Sequence, residues 1–141
     1  MSEQAEGRFH IAFKQESDLA IVVTQAKRFL GTYVANEPEL ARILTALMEL
    51  VRNAVRYAGG GDAYLEVQPL WNGHHLVSLL VEDEGPGIAD IEAAMQDAFS
   101  TGKSLGLGLP GVRRLMDNFH IESTPGQGTR VRATREVRAK T

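Results

Sequence analysis

The sequence has 141 residues and a formal net charge of −3, with 15 lysines and arginines against 18 aspartates and glutamates. This length suits one domain, and the slight negative charge argues against a nucleic-acid partner. The absence of cysteine excludes disulfides and thiol chemistry. No apolar run approaches the ~20 residues that span a bilayer, and the polar N-terminus is unlike a signal peptide. We therefore expect a cytoplasmic protein with no membrane partner.

The first part of the chain predicts one strand and two helices. A flexible tail over residues 1–8 precedes a strand over 9–13, where apolar and polar residues alternate. Residues 17–34 carry a helical apolar stripe that begins at a Ser17-Asp18 cap. A second helix is expected over 38–58, because Pro38 suits a first helical turn and three consecutive glycines follow Ala58.

The second part predicts two hairpins around one further helix. We expect strands over 63–71 and 75–83 joined at Asn72-Gly73, a helix-like segment over 90–99, a loop over 100–104, a helix after Pro110, and strands over 119–123 and 128–134. This order predicts an α+β two-layer sandwich, with helices on one face of a mixed, mostly antiparallel sheet. The domain is expected over 9–136, with a C-terminal tail over 137–141.

Residues 104–111, Ser-Leu-Gly-Leu-Gly-Leu-Pro-Gly, are the most distinctive stretch. Glycines just before a helix let the backbone approach a ligand, and the helix start favours an anion such as phosphate. The dinucleotide fingerprint is rejected because it needs a strand directly before it. The Walker pattern needs glycine where Asp97 stands. A glycine-rich helix entry without a ligand remains the alternative.

Two further motifs carry polar groups suited to nucleotide chemistry. Glu49 and Asn53 are four residues apart, so they share one helix face. The glutamate can accept a proton, and the asparagine oxygen can ligate Mg²⁺. Asp83-Glu-Gly-Pro-Gly87 follows an apolar strand, where the aspartate can accept from the amine of adenine and the glycines let the chain pass close to a base. A solvated helix face and an ordinary acidic turn remain the alternatives.

The order Glu-x-x-x-Asn, Asp-x-Gly-x-Gly, Gly-x-Gly resembles the GHKL ATPase superfamily, and so implies its two-layer (Bergerat) sandwich. Residues 49–58, 81–88, 105–116 and 121–129 are most similar to the anti-sigma-factor serine kinases, among them the RsbT-type switch kinases. The resemblance implies ATP and Mg²⁺ as cofactors.

The resemblance also implies residue roles. Glu49 would be the catalytic base and Asn53 the Mg²⁺ ligand. The other nucleotide-binding candidates are Asp83, Gly85 and Gly87 for adenine, Thr129 beside Asp83, and Lys103, Gly106, Leu107, Gly108 and Leu109 at the phosphates. Two residues depart from the family pattern. Ser104 stands at a usual glycine and would stiffen the hinge of a short lid over 88–105. Lys103 replaces a small residue, and it could reach a phosphate or face solvent.

The function implied is transfer of the γ-phosphate of ATP to a serine or threonine of a partner protein. Family partners are STAS-domain anti-sigma antagonists or stressosome-type scaffolds, with a PP2C-type phosphatase as a further partner, in bacterial stress or sigma-factor partner switching. One alternative is a nucleotide-gated binding switch with little catalysis. Another is the ATP-binding domain of a histidine kinase, which would need a helical dimerisation segment that this sequence lacks. The basic residues 130–140 are expected to form a solvated strand edge, or else a docking surface for acidic partners.

Overall fold

The computed structural model describes residues 6–88, 95 and 108–140. Its strands are β1 (Gly7–Phe13), β2 (Gly61–Pro69), β3 (His74–Asp83), β4 (Asn118–Thr124) and β5 (Gly128–Arg138), and its helices are α1 (Asp18–Gly31), α2 (Glu37–Ala58) and α3 (Leu109–Leu115). None of these helices is long and apolar enough to cross a membrane. The predicted segments over 90–99 and 100–104 lie outside the described residues, except for Met95.

The described strands form one antiparallel sheet in the order β1-β2-β3-β5-β4. Alternate residues of β3, such as Val77, Leu79 and Val81, are buried, as the two-residue period of a half-covered strand requires. They share one core with buried residues of α1 and α2, such as Leu30 and Leu47. The helices therefore cover one face of the sheet, which confirms the predicted two-layer α+β sandwich.

The ends of α2 follow the signals in the sequence. The Asn36 side chain accepts a hydrogen bond from the Glu39 N–H at 3.0 Å, and Pro38 lies in the first turn. Gly59 ends the helix in the left-handed conformation, with φ of 76°. The start of α1 differs from the prediction, because the Ser17 side chain makes no capping bond. Asp18 accepts from the Lys14 N–H at 2.8 Å instead.

Several predicted boundaries move. The turn between β2 and β3 takes up residues 70–73, so Trp71 lies in the turn and not in a strand, with 96% of its surface exposed. Strand pairing begins at Gly7 and reaches Arg138, so the first and last strands extend beyond their predicted limits of 9 and 134. Helix α1 ends at Gly31 rather than at residue 34.

The prediction that the basic C-terminal segment forms a strand edge is wrong for residues 130–134, which pair with β3 on one side and β4 on the other, whereas residues 135–138 pair with β3 alone. β5 lies between β3 and β4, and it pairs with β3 over its whole length. β5, the second strand of the β4–β5 hairpin, pairs with β3. The strands β4 and β1 therefore lie at the edges of the described sheet. Sequence alone does not determine which strand of a hairpin takes the inner position.

An ion-pair network on the helix-covered face ties β5 to both α2 and α3. The Arg135 guanidinium donates to the Glu39 carboxylate at 2.6 and 3.3 Å, and to the Leu115 carbonyl at 3.1 Å. It also lies 3.4 Å from Asp117. Only 17% of the Arg135 side chain is exposed. Two parallel charged hydrogen bonds of this kind fix geometry as well as adding stability.

We predict that Glu39→Gln lowers the free energy of unfolding near neutral pH by about 1 kcal/mol, because it removes the charge from this pair. The Arg135 hydrogen bond holds the pKa of Glu39 below its ordinary value of 4.5. A lowered carboxyl pKa stabilises the fold above the unfolded-state pKa, and the contribution is lost as pH falls through the folded-state pKa. Urea unfolding followed by circular dichroism should therefore show a difference that is constant above about pH 5.5 and disappears in acid.

Glu37→Gln is the matched control, since Glu37 lies in the same first turn of α2 and is exposed. Both substitutions remove a negative charge near the helix start, but only one removes the Arg135 pair. Equal losses of stability in the two variants would show that the helix dipole, and not the pair, explains the effect.

Candidate functional site

Helix α2 carries the first candidate motif on the side that faces α3. The Glu49 carboxylate accepts a hydrogen bond from the Arg52 guanidinium at 3.0 Å, and 31% of the Glu49 side chain is exposed. One turn further along the helix, the Oδ1 atom of Asn53 is buried. Arg52, for which the sequence suggested no role, therefore helps to orient the candidate base.

The glycine motif meets Glu49 directly. Gly108 precedes α3 in the left-handed conformation, with φ of 62°. A Cβ placed on Gly108 would lie 2.5 Å from Oε1 of Glu49, so only glycine fits here without displacing the carboxylate. Leu109 is buried in the core, which leaves its backbone as the part that can face a ligand. The candidates Lys103, Gly106 and Leu107 lie outside the described residues.

The second motif lies at the other end of this region. Asp83, the last residue of β3, stands directly opposite Thr129 of β5, and both are on the helix-covered face. The Asp83 Oδ1 atom accepts a hydrogen bond from the Gly85 N–H at 2.9 Å. Gly85 lies so close to Ala58 that an added Cβ would overlap it. The loop after β3 is therefore packed against the end of α2.

Ser123 was not among the predicted site residues, yet it contacts one of them, Thr129. Its Oγ atom lies 2.8 Å from Thr129 Oγ1, 2.7 Å from the Ile88 nitrogen and 3.1 Å from the Gly128 carbonyl oxygen. Ser123 and Thr129 are paired across the β4–β5 hairpin. The short turn between two predicted strands was the available signal, because it sets the register that brings the two hydroxyls together.

The two ends of the region are joined by α2. Glu49 and Ala58 are nine residues apart, which is about 13 Å along a helix. An open cavity of about 1000 Å³ at the Asp83 end is lined by Asp83, Ser123, Thr129 and Ala58, among others, and its lining does not include Glu49 or Asn53. The arrangement offers acceptors for a polar base at one end, and a carboxylate beside a close backbone approach at the other.

The histidines lie elsewhere. All four pair with carboxylates: His10 with Asp62, His74 with Glu136, His120 with Glu122, and His75 with Glu6 at 2.9 Å. His75 is the buried one, and its Nδ1 atom also lies 3.0 Å from the Tyr33 carbonyl oxygen. Within the described part of the chain, no group of three or more His, Asp or Glu side chains could hold a metal. A Mg²⁺ ion that takes most of its ligands from phosphate and water needs no such group.

The chain is similar in sequence to several known proteins. Residues 39–138 match the family described as histidine kinase-, DNA gyrase B-, and HSP90-like ATPases. The serine/threonine-protein kinase RsbT of Bacillus subtilis (strain 168) is 46% identical over 118 residues, which are 80% of this chain and 88% of that protein. The anti-sigma F factor of Bacillus licheniformis is 32% identical over 133 residues, which are 89% of this chain and 88% of that protein.

A solved structure of full-length ShkA in complex with AMPPNP resembles this fold with a TM-score of 0.50 and 16% sequence identity, covering 100% of this chain and 33% of the ShkA chain. At that identity the likeness shows the fold alone. The sequence matches confirm the GHKL resemblance that the three motifs indicated. The chain therefore belongs to the family of histidine kinase-, DNA gyrase B-, and HSP90-like ATPases.

Proposed function

We propose that this chain is an ATP-dependent serine/threonine protein kinase that phosphorylates a small STAS-domain protein. The observation that carries the proposal is the contact of the Glu49 carboxylate with Gly108, at a point on α2 about 13 Å from Ala58, where the loop after Asp83 packs. An extended nucleotide can span this distance, with its base at Asp83 and its terminal phosphate beside Glu49.

At the base end, Asp83 would accept a hydrogen bond from the amine of adenine. Its ring neighbour would be the loop after β3, where the lack of side chains lets Gly85 pack closely on Ala58 and Gly87 on the Thr124 carbonyl. Thr129, opposite Asp83, would hold the same edge of the base. The hydrogen bond from the Gly85 N–H keeps Asp83 in one orientation before a nucleotide arrives.

At the phosphate end, the backbone N–H groups of Gly106 and Gly108 would meet the phosphate oxygens. Asn53 fits a Mg²⁺ site, because a carboxamide oxygen is a donor that this ion accepts and the Oδ1 atom lies buried one turn from Glu49. When bound, Mg²⁺ would neutralise phosphate charge. Lys103 would add a positive charge at the β- or γ-phosphate.

In the transfer step, the serine or threonine oxygen of the partner forms a bond to the γ-phosphorus of ATP while the bond to the β-phosphate oxygen breaks. Glu49 accepts the hydroxyl proton, and ADP leaves. Phosphoryl transfer depends mainly on positioning and charge neutralisation. The 3.0 Å hydrogen bond from Arg52 supplies part of that positioning, because it holds the Glu49 carboxylate toward Gly108.

The proposed class of partner protein rests on sequence similarity to known proteins. The chain shares 46% identity with a protein named a serine/threonine-protein kinase and 32% with one named an anti-sigma F factor. The resemblance drawn from the sequence implies STAS-domain substrates and a cytoplasmic place of action, and both belong to this proposal.

We predict that Asp83→Asn weakens Mg-ATP binding by about ten- to a hundredfold, because a charged acceptor at the base is lost while the Gly85 hydrogen bond can persist. Isothermal titration calorimetry of the pure protein measures this directly. Glu84→Gln is the control, since it removes the adjacent exposed carboxylate. Equal affinities in wild type and Asp83→Asn would rule out the assigned base site.

We predict that Glu49→Gln lowers the phosphorylation rate by about 10²- to 10⁴-fold, as expected when a general base is removed, with little change in ATP affinity. Incorporation of labelled phosphate from γ-labelled ATP into a panel of STAS-domain proteins gives the rate. Wild-type binding of a partner or phosphatase, with full pathway output from the Glu49→Gln variant, would instead favour the nucleotide-gated switch.

We predict that Gly108→Ala slows phosphate transfer by at least about tenfold, because the new methyl group meets the Glu49 carboxylate and the left-handed backbone disfavours alanine. Gly111→Ala is the matched control, since no atom lies within 4 Å of its added Cβ. The same rate assay applies to both variants. Similar rates for both variants would show that close approach at Gly108 is not needed for catalysis.

A further inference from the structure

The hydroxyl of Ser123 has every hydrogen-bonding position in use. A serine hydroxyl offers one proton and two lone pairs. Three polar atoms lie around it: the Ile88 nitrogen at 2.7 Å, the Thr129 Oγ1 atom at 2.8 Å and the Gly128 carbonyl oxygen at 3.1 Å. Three neighbours for three positions leave no freedom in how the hydroxyl is oriented.

The directions of these hydrogen bonds follow from what each neighbour can do. The Ile88 N–H can only donate, so it takes one lone pair of Ser123. The Gly128 carbonyl can only accept, so it receives the single Ser123 proton. The remaining contact must use the second lone pair, which makes Thr129 the donor to Ser123. The proton of Thr129 is therefore directed away from any ligand, and its oxygen can only accept from other groups.

The residue opposite Thr129 is also a hydrogen-bond acceptor. Asp83, when ionised, is an acceptor only, and it is paired directly with Thr129 across β3 and β5. Side chains in directly opposed positions have Cβ atoms about 4.5–5.5 Å apart, so one chemical group of a ligand can lie near both. The base end of the site therefore presents two acceptors side by side and no hydroxyl proton.

We propose that Ser123 is a specificity-determining residue, which fixes the Thr129 hydroxyl as an acceptor and so selects a purine carrying a 6-amino group over one carrying a 6-oxo group. This rests on the proposed nucleotide site. An exocyclic amine has two N–H groups to offer to Asp83 and Thr129. A 6-oxo group brings a third acceptor to the same place, where it meets the Asp83 charge and can accept from neither residue, and the loss of hydrogen bonds of this kind gives discrimination.

Removing the Ser123 hydroxyl releases the Thr129 proton. In Ser123→Ala the Thr129 hydroxyl can rotate and donate to a ligand oxygen, so a 6-oxo purine is no longer penalised at that position. Ser123→Thr retains the hydroxyl and should retain the selection. A merely structural role for Ser123 would change the affinity for both kinds of purine by the same factor, leaving their ratio unaltered.

The test is isothermal titration calorimetry with Mg-ATP and Mg-ITP, which differ in the 6-amino or 6-oxo group and in the neighbouring N1, an acceptor in ATP and an N–H donor in ITP. We expect the ratio of the ITP to the ATP dissociation constant to fall by about tenfold in Ser123→Ala and to return to the wild-type value in Ser123→Thr. Thr129→Val, which removes the hydroxyl itself, should lower the ratio to a similar extent. Ser78→Ala is the control, because Ser78 of β3 lies on the uncovered face of the sheet.

The outcomes separate the inference from the proposed function. Tight ATP binding with the wild-type ratio in both Ser123→Ala and Thr129→Val overturns the role of Ser123 and leaves the nucleotide site intact. Absence of ATP binding in the wild-type protein overturns the proposed function and this inference together. Circular dichroism melting curves identify any variant that fails to fold. The ratio measured in the other variant then decides the role of Ser123.

Discussion

The arrangement of the site depends on how closely α3 begins beside α2. The Glu49 carboxylate occupies the space where a side chain at position 108 would stand, and the φ of 62° at Gly108 favours glycine there as well. The other end of the short helix is fixed as well, because the Leu115 carbonyl accepts from Arg135, which also holds Glu39 in the first turn of α2. Helix α3 is thus held at both ends relative to the helix that carries the candidate base.

The Asp83 end of the candidate site has a different kind of support. There the sheet supplies rigidity, because Asp83, Thr129 and Ser123 lie on three adjacent strands in consecutive pairing positions. Their relative placement is set by backbone register, which a one-residue slip would destroy by turning each side chain to the other face. Helix α2 then connects this end to the Glu49 end, since Ala58 packs on the loop after β3 and Glu49 lies more than two turns away.

The features that could be predicted from the sequence are those that nearby residues in the chain determine. Asn36, Pro38 and Gly59 mark the ends of α2 through side-chain capping and backbone preference, and the structure has the helix there. The motif residues Glu49 and Asp83 stood out because the motifs Glu-x-x-x-Asn, Asp-x-Gly-x-Gly and Gly-x-Gly follow one another in that order. Ser123 and Arg135 did not, since their partners lie on other elements and are brought near only by strand pairing and helix packing. The inner position of β5 was missed for the same reason.

The exposed turn between β2 and β3 has a practical optical consequence. Trp71 is the only tryptophan of the chain and is 96% exposed, at the end of β3 opposite to Asp83. Its indole is surrounded by water in the folded protein much as it would be in the unfolded chain. Intrinsic emission should therefore change little on unfolding or when the distant site is filled. The same indole would respond to quenchers, and to any macromolecule that covers that turn, which makes it a built-in reporter for the far end of the molecule.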